Sequence, residues 1–434
     1  MSASPTLLSR RFGPAELTFY CAGLLVLSMM FSPFVLSLSM WGLVGAAAWE
    51  AVERAKALDT GKNLGLSVLR QSFARLAGQP VLLALSLLLL VPAVSFFWSD
   101  DLGFWAERTR VRLPFLVLPW AFANLPSLSM RRYQLVLYAL VWMLVITCIG
   151  VAIHFAQHAD TILEGLQHGQ PIPVPRNHIR FNLLLATGIL SGGWLWTQHF
   201  RWRYAWERPV LAVAVVFLFA FLHFLSVRSG IAALYAALFF TVIRFLVRTR
   251  RWGLGLTALI LLAVLPWLAL QTIPSLQQRI SYMVYDWQQY QKNAGDNYSD
   301  SERWVSLEAG ITLWQENPLL GVGAGDLPKE IQRVVNREFP AYTVEPKLPH
   351  NQFIYLLAGT GLLGVVLSMV AFLAPLTERR SRSFYLFSAF QIMIFVSFLV
   401  EYTIETAIGV AFYLFYMLWF REMGKVEVLS GDKV

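Results

Sequence analysis

Apolar stretches of about 17 to 25 residues recur along most of the chain, separated by short polar connections. That length is what an α-helix needs to cross a ~30 Å hydrocarbon core with every backbone group satisfied internally. The strands of an outer-membrane barrel would alternate apolar and polar residues instead, and these runs do not. The pattern predicts twelve spans, at 15–32, 34–52, 80–98, 113–130, 133–155, 181–199, 209–225, 229–247, 252–272, 351–375, 383–400 and 404–420. The first two share one stretch and divide at Ser32 and Pro33. The expected fold is therefore an all-α polytopic membrane bundle of about twelve helices. Its longest polar stretch runs from Ile273 to Pro349, and the chain divides naturally into 1–272, 273–350 and 351–434.

Composition agrees: 57% of the 434 residues are hydrophobic and 14% charged, with a mean hydropathy of +0.55. The formal net charge of +9 raises nucleic acid as a partner, but most Lys and Arg lie in short loops between apolar runs, which is a topology signal. With the N-terminus placed inside, the inner segments carry 22 Lys and Arg and the short outer loops carry 6. Both termini are thus expected in the cytoplasm and the Ile273 to Pro349 loop outside. Arg10 and Arg11 precede the first apolar run, which shows no convincing cleavage site and is expected to be retained. The two cysteines, Cys21 and Cys148, lie in apolar runs and suggest neither a disulfide framework nor a metal site.

Outside, the segment 171–175, Pro-Ile-Pro-Val-Pro, reads as a stiff connector leading to Arg180. In the long loop, Ser299, Asp300 and Ser301 offer N-cap residues. Trp304, Leu307, Ile311 and Trp314 then form a helical stripe, and Asn317–Pro318 stops it. This helix is expected to lie as a lid over the bundle or on the membrane surface. Gly321, Gly323 and Gly325 lack the Gly-Lys-Ser/Thr ending of a phosphate loop. They read as a tight turn that also lets backbone amides approach a ligand.

The candidate chemistry sits on the same side. Arg180 stands where a polar loop enters a span, Arg228 between two spans with almost no loop, and Arg303 at the start of the lid helix. Charged residues at such depth are functional candidates by default, and guanidinium forks suit phosphate oxygens. His350 opens a helix after Pro349, where an imidazole can serve as a general base. Taken singly, each arginine can also snorkel to headgroups and the histidine can simply hydrogen-bond the loop. Glu401 and Glu405, in the turn between the last two spans, and Asn351 are candidates for contacting an acceptor or supporting the site; a solvated turn is the commoner use of such acids. His154 and His158 have i, i+4 spacing but no apparent third metal ligand. No metal or cofactor is expected.

In order and spacing, several motifs resemble the O-antigen ligase and O-antigen polymerase superfamily. They are Ser226-Val227-Arg228-Ser229-Gly230; Ser301-Glu302-Arg303-Trp304 leading to Asn317-Pro318-Leu319-Leu320-Gly321; and His350-Asn351-Gln352-Phe353 with Gly359-Thr360-Gly361. The resemblance implies a metal-independent, inverting glycosyltransferase of the bacterial inner membrane, working on its periplasmic face. Its donor would be an undecaprenyl diphosphate-linked glycan, with Arg303 and His350 in catalytic loop positions and Arg228 in a serine-arginine motif. Arg180 is assigned by position only. Within the superfamily, one dominant late outer loop resembles the ligase, which joins O-antigen to lipid A core. Polymerization of repeat units, protein O-glycosylation and, outside enzymes, lipid-linked glycan transport are the alternatives. Transport would require polar residues through the midplane of several spans, and few are present.

Overall fold

The computed structural model describes residues 12–58, 63–291, 299–340, 342 and 344–429, and among them all regular structure is helical. Helix α1 (Pro14–Phe31) and α2 (Pro33–Leu58) separate at Ser32, whose backbone is extended (φ −149°, ψ 112°). Pro33 imposes this, because the residue before a proline is pushed out of the helical region. The chain continues through α3 (Leu64–Ala77), α4 (Pro80–Leu85), α5 (Leu87–Val94), α6 (Leu102–Arg112), α7 (Pro114–Asn124) and α8 (Met130–Gln157). Next come α9 (Ala159–Gln167), α10 (His178–Thr197), α11 (Glu207–Phe224), α12 (Arg228–Thr249) and α13 (Trp252–Thr272). The former long loop holds α14 (Pro274–Gln291), α15 (Ser299–Glu316) and α16 (Leu327–Glu338). Finally α17 (Gln352–Leu373), α18 (Arg379–Ser383), α19 (Tyr385–Val400) and α20 (Ala407–Leu429) close the bundle.

Eight segments among the described residues are long and apolar enough to cross a membrane: 14–31, 33–57, 80–97, 130–157, 207–224, 228–249, 252–272 and 352–377. The chain is a polytopic membrane protein. The other four expected spans take different forms. The run 113–130 ends as a helix at Asn124, before Pro126, and α6 precedes it within what was expected to be loop. The run 383–400 becomes the 16-residue α19. The runs 181–199 and 404–420 become α10 and α20, most of whose described side chains are buried among other helices; every residue from Val410 to Phe420 is buried.

The lid helix α15 forms where expected, from Ser299 to Glu316, but its packed face differs from the expected stripe. Trp304 and Ile311 are exposed, whereas Val305, Ala309 and Leu313 pack with Leu327, Ile331, Val334 and Val335 of α16 and Tyr355 and Ala358 of α17. The small residues decide this. A side chain at Gly310 would come within 2.7 Å of Ile354 and 2.9 Å of Pro349, so this face approaches closely and seats α15 beside His350. Helices α14 and α16 were not anticipated.

Helix α17 breaks at Gly361 (φ 65°, ψ −170°). Within a membrane span the freed backbone groups need partners, and the glycine-rich turn supplies them. Val322 N–H donates to Ala358 O (2.9 Å), Gly323 N–H to Gly359 O (3.0 Å), and Leu362 N–H to Pro318 O (2.9 Å). Beyond it, Ala324 and Gly325 N–H donate to Ser95 and Ser99 hydroxyls, and the Asp326 carboxylate accepts from Asp100 and Asp101 N–H. These amides of the turn are thereby engaged inside the protein and clasp α17 to the α5–α6 connection.

Candidate functional site

Three helix ends meet at one carboxylate. Glu401 follows the last residue of α19, keeps a backbone bond to Ser397 O (2.9 Å) and is 2% exposed. Arg303 Nη2 donates to its Oε1 (3.2 Å), His350 Nδ1 lies 3.4 Å from the same oxygen, and Arg180 Nη1 lies 4.0 Å from Oε2. Burial raises the Glu401 pKa, but the hydrogen bond and charge of His350 with the charges of Arg303 and Arg180 outweigh it and hold the carboxyl below its ordinary value. The group is an ionised hub.

Local sequence explains why each partner is there. Asn351 is the N-cap of α17: its Oδ1 accepts from Phe353 and Ile354 N–H (2.9 and 3.1 Å). Its Nδ2 donates to Leu399 O (2.8 Å), two residues before Glu401. One side chain thus starts α17 and ties it to the end of α19, leaving His350 just above the junction. The His350 ring meets the edge of Tyr402 at 5.0 Å. With Nδ1 turned to Glu401, Nε2 is the nitrogen left for chemistry.

Arg228 begins α12 after Ser226, which adopts a left-handed backbone (φ 56°) and bonds the Ser275 hydroxyl (2.9 Å) at the start of α14. Two residues later a side chain at Gly230 would meet Asn182 Cβ at 2.5 Å, so glycine lets α12 lie against α10. Arg180, on the first turn of α10, is anchored by the N-cap Asn177, whose side chain accepts from Ile179 and Arg180 N–H. The motif around Arg228 therefore packs two arginine-bearing helix starts together.

Beside the hub lies a pocket of about 390 Å³ lined by Arg228, Arg279, Arg303, Lys347, His178 and His350, with Tyr282, Tyr402, Ser226 and Ser229 among its other walls. Among the described residues four cations and no carboxylate line it, an arrangement that suits an anion. Lys347 pairs with Glu302. Arg279 donates to Gly169 O, and Tyr282 packs against Gly169, whose positive φ (77°) excludes a side chain. These contacts fix α14 to the connection between α9 and α10. Burial first, then the charges of Arg279 and Arg303, push His178 down to about 4 from 6.5, so this imidazole is neutral.

The structure brings His350, Arg303 and Glu401 into direct contact and places Arg228 on the same pocket. Arg180 stands on the far side of Glu401, lining a narrow apolar crevice with Met29, Met30, Phe181, Leu184 and Phe412. Its Nε and Nη1 are buried without hydrogen-bond partners. Glu405 lies apart, in a buried pair with Arg112. His178, Arg279, Tyr282, Lys347 and Tyr402 were not singled out in the sequence. Arg279 and Lys347 belong to the basic content of the long loop, a weak signal, and Tyr402 adjoins a candidate. The His154 and His158 rings lie 4.5 Å apart, tilted by 39°, and no group of three or more His, Cys, Asp or Glu suited to a metal occurs among the described residues.

Residues 213–369 match the model of a family described as O-antigen ligase. The matched segment contains Arg228, Arg303, His350 and Asn351, while Arg180, Glu401 and Glu405 lie outside it. No curated protein matches the chain. The match over 213–369, together with the order of motifs that brings His350 and Arg303 to one carboxylate, supports a likeness of this part of the chain to the O-antigen ligase and polymerase superfamily.

Proposed function

We propose that this chain is an O-antigen ligase: an inverting glycosyltransferase that moves a glycan from undecaprenyl diphosphate to a sugar hydroxyl of lipid A core, on the periplasmic face of the bacterial inner membrane. Both termini would then be cytoplasmic, as the charge asymmetry requires. The observation that carries the reading is the His350–Glu401 contact at 3.4 Å at the edge of a pocket walled by Arg228, Arg279, Arg303 and Lys347.

In this reading the donor diphosphate lies among the pocket arginines. His350 Nε2 takes the proton of the acceptor hydroxyl as that oxygen attacks the anomeric carbon. The bond from that carbon to the diphosphate oxygen breaks, and the charge growing on the leaving group is met by guanidinium donors. A single displacement inverts the anomeric centre. Glu401 orients the ring through Nδ1 and stabilises the imidazolium that forms, while Arg180 and Arg303 keep the carboxylate ionised. The arginines would supply the charge that a cation supplies elsewhere, so transfer is expected to survive EDTA.

One dominant outer segment late in the chain favours the ligase over the polymerase. The experiment is transfer by the purified chain from an undecaprenyl diphosphate-linked glycan to lipid A core. Wild type should transfer, and His350→Ala should retain donor binding while losing most transfer, about 10² to 10⁴ in rate. Wild-type transfer by His350→Ala would remove the proposed base.

A further inference from the structure

Glu405 is sealed from the pocket, 1% exposed, and the reaction proposed above makes no use of it. Its Oε1 accepts from Arg112 Nη2 and from Gln352 Nε2 (2.7 Å), and its backbone carbonyl accepts from Arg108 Nη1 (3.1 Å). Gln352 is equally buried, and its Oε1 accepts from Ile404 N–H (3.1 Å). Gln352 stands two residues after His350, and Ile404 three after Glu401. A single amide therefore bonds the start of α17, which carries His350, to the turn that carries Glu401. The rings continue the link, since Tyr355 stacks on Tyr402 (5.9 Å) and Tyr402 meets His350.

Stability alone is a poor reason for this arrangement. A buried ion pair is often matched or surpassed by apolar residues of similar volume, and its best-attested use is fixing one geometry. Here the cluster also leaves Arg112 Nε buried without a hydrogen-bond partner among the described residues, which costs stability further. What it does fix is the separation of two chain segments whose side chains meet at the hub.

We propose that Arg112, Glu405 and Gln352 form a positioning brace that sets His350 against Glu401. The inference rests on reading His350 and Glu401 as the reacting pair. None of the three touches substrate. They act by holding the imidazole at the distance and angle its proton transfer requires, where a displacement of about 1 Å is worth on the order of 10²-fold in rate.

Gln352→Leu tests this, because it removes both amide bonds and leaves the Arg112–Glu405 pair in place. The expected result is a kcat lowered about 10- to 100-fold with little change in KM for the donor. Introduced beside Glu401→Gln, the same change should add no further loss, as coupled neighbours behave. Independently of activity, carbethoxylation of His350 by diethyl pyrocarbonate, read by peptide mass spectrometry, should speed up severalfold in Gln352→Leu. Wild-type transfer with unchanged labelling would overturn the brace, as would a loss that multiplies fully onto Glu401→Gln. Should Gln352→Leu fail to accumulate, Arg108→Ala, which removes the bond to the Glu405 carbonyl, should shift both readouts the same way by less, and no shift overturns the idea. If the wild-type chain transfers nothing, the functional reading fails, and His350 labelling still decides the brace.

Discussion

Replacing Glu401 by glutamine removes one buried negative charge while keeping the size of the side chain. The carboxylate faces Arg303 at 3.2 Å, His350 at 3.4 Å and Arg180 at 4.0 Å. At separations near 4 Å and the effective dielectric of a protein, one such interaction is worth about 4 kcal/mol at most. When His350 takes a proton, the new positive charge would find an amide instead of a carboxylate. A loss of roughly 2 to 4 kcal/mol of that stabilisation, at about 1.4 kcal/mol per decade, predicts transfer slowed roughly 30- to 900-fold. The amide NH₂ also points donors at groups that are themselves donors, so the ring loses its anchor. Donor binding should change far less, because Arg228, Arg279 and Lys347 line the pocket independently. The assay is initial transfer rate against donor concentration, normalised to protein in the membrane. Glu401→Gln present at normal level and turning over at the wild-type rate would refute the reasoning and leave the carboxylate a structural neutraliser of Arg180.

Arg303→Lys keeps the charge but loses the planar fork, so transfer should fall markedly at normal expression; full activity in Arg303→Ala would remove the residue from the site. Burial with the charges of Arg279 and Arg303 holds His178 at about 4 against 6.5. Between those values the unfolded chain binds a proton that the folded chain refuses, so this contribution is intact above pH 6.5. It is lost as pH falls toward 4, with a slope of at most about 1.4 kcal/mol per pH unit. Thermal midpoints against pH should be flatter in that window for His178→Gln, and identical curves would contradict it. Gly361→Ala should keep the protein from accumulating, since the site requires φ 65° and a Cβ would lie 2.2 Å from Leu319 O; normal accumulation would mean that the break in α17 is dispensable.

Hydrophobic run length made the membrane helices legible, because lipid imposes a length and a solvent preference that sequence displays directly. It misjudged 113–130, where Pro126 ends the helix at Asn124, and it did not distinguish lipid-facing spans from buried ones such as α20. Helices α14 and α16 escaped notice because they mix polar and apolar positions within one long segment. The face of α15 was misread because side-chain bulk suggested Trp304 and Ile311, whereas the small Ala309 and Gly310 permit the closest approach. His350 and Arg303 stood out as charges in unusual places. Their meeting at Glu401 did not, because contacts across 51 and 98 residues of chain are set by packing that no local pattern encodes. Asn351 was noticed, yet its double role as N-cap and tie to Leu399 follows only from the folded geometry.

The most direct test of the central claim is the lipopolysaccharide gel profile of cells lacking this chain and complemented with either wild type or His350→Ala. The account predicts a full O-antigen ladder with wild type. With His350→Ala it predicts core alone, while polymerised glycan accumulates on its lipid carrier. Core carrying a single repeat unit would mark a polymerase instead, and a full ladder with His350→Ala would contradict the assignment of the reacting base.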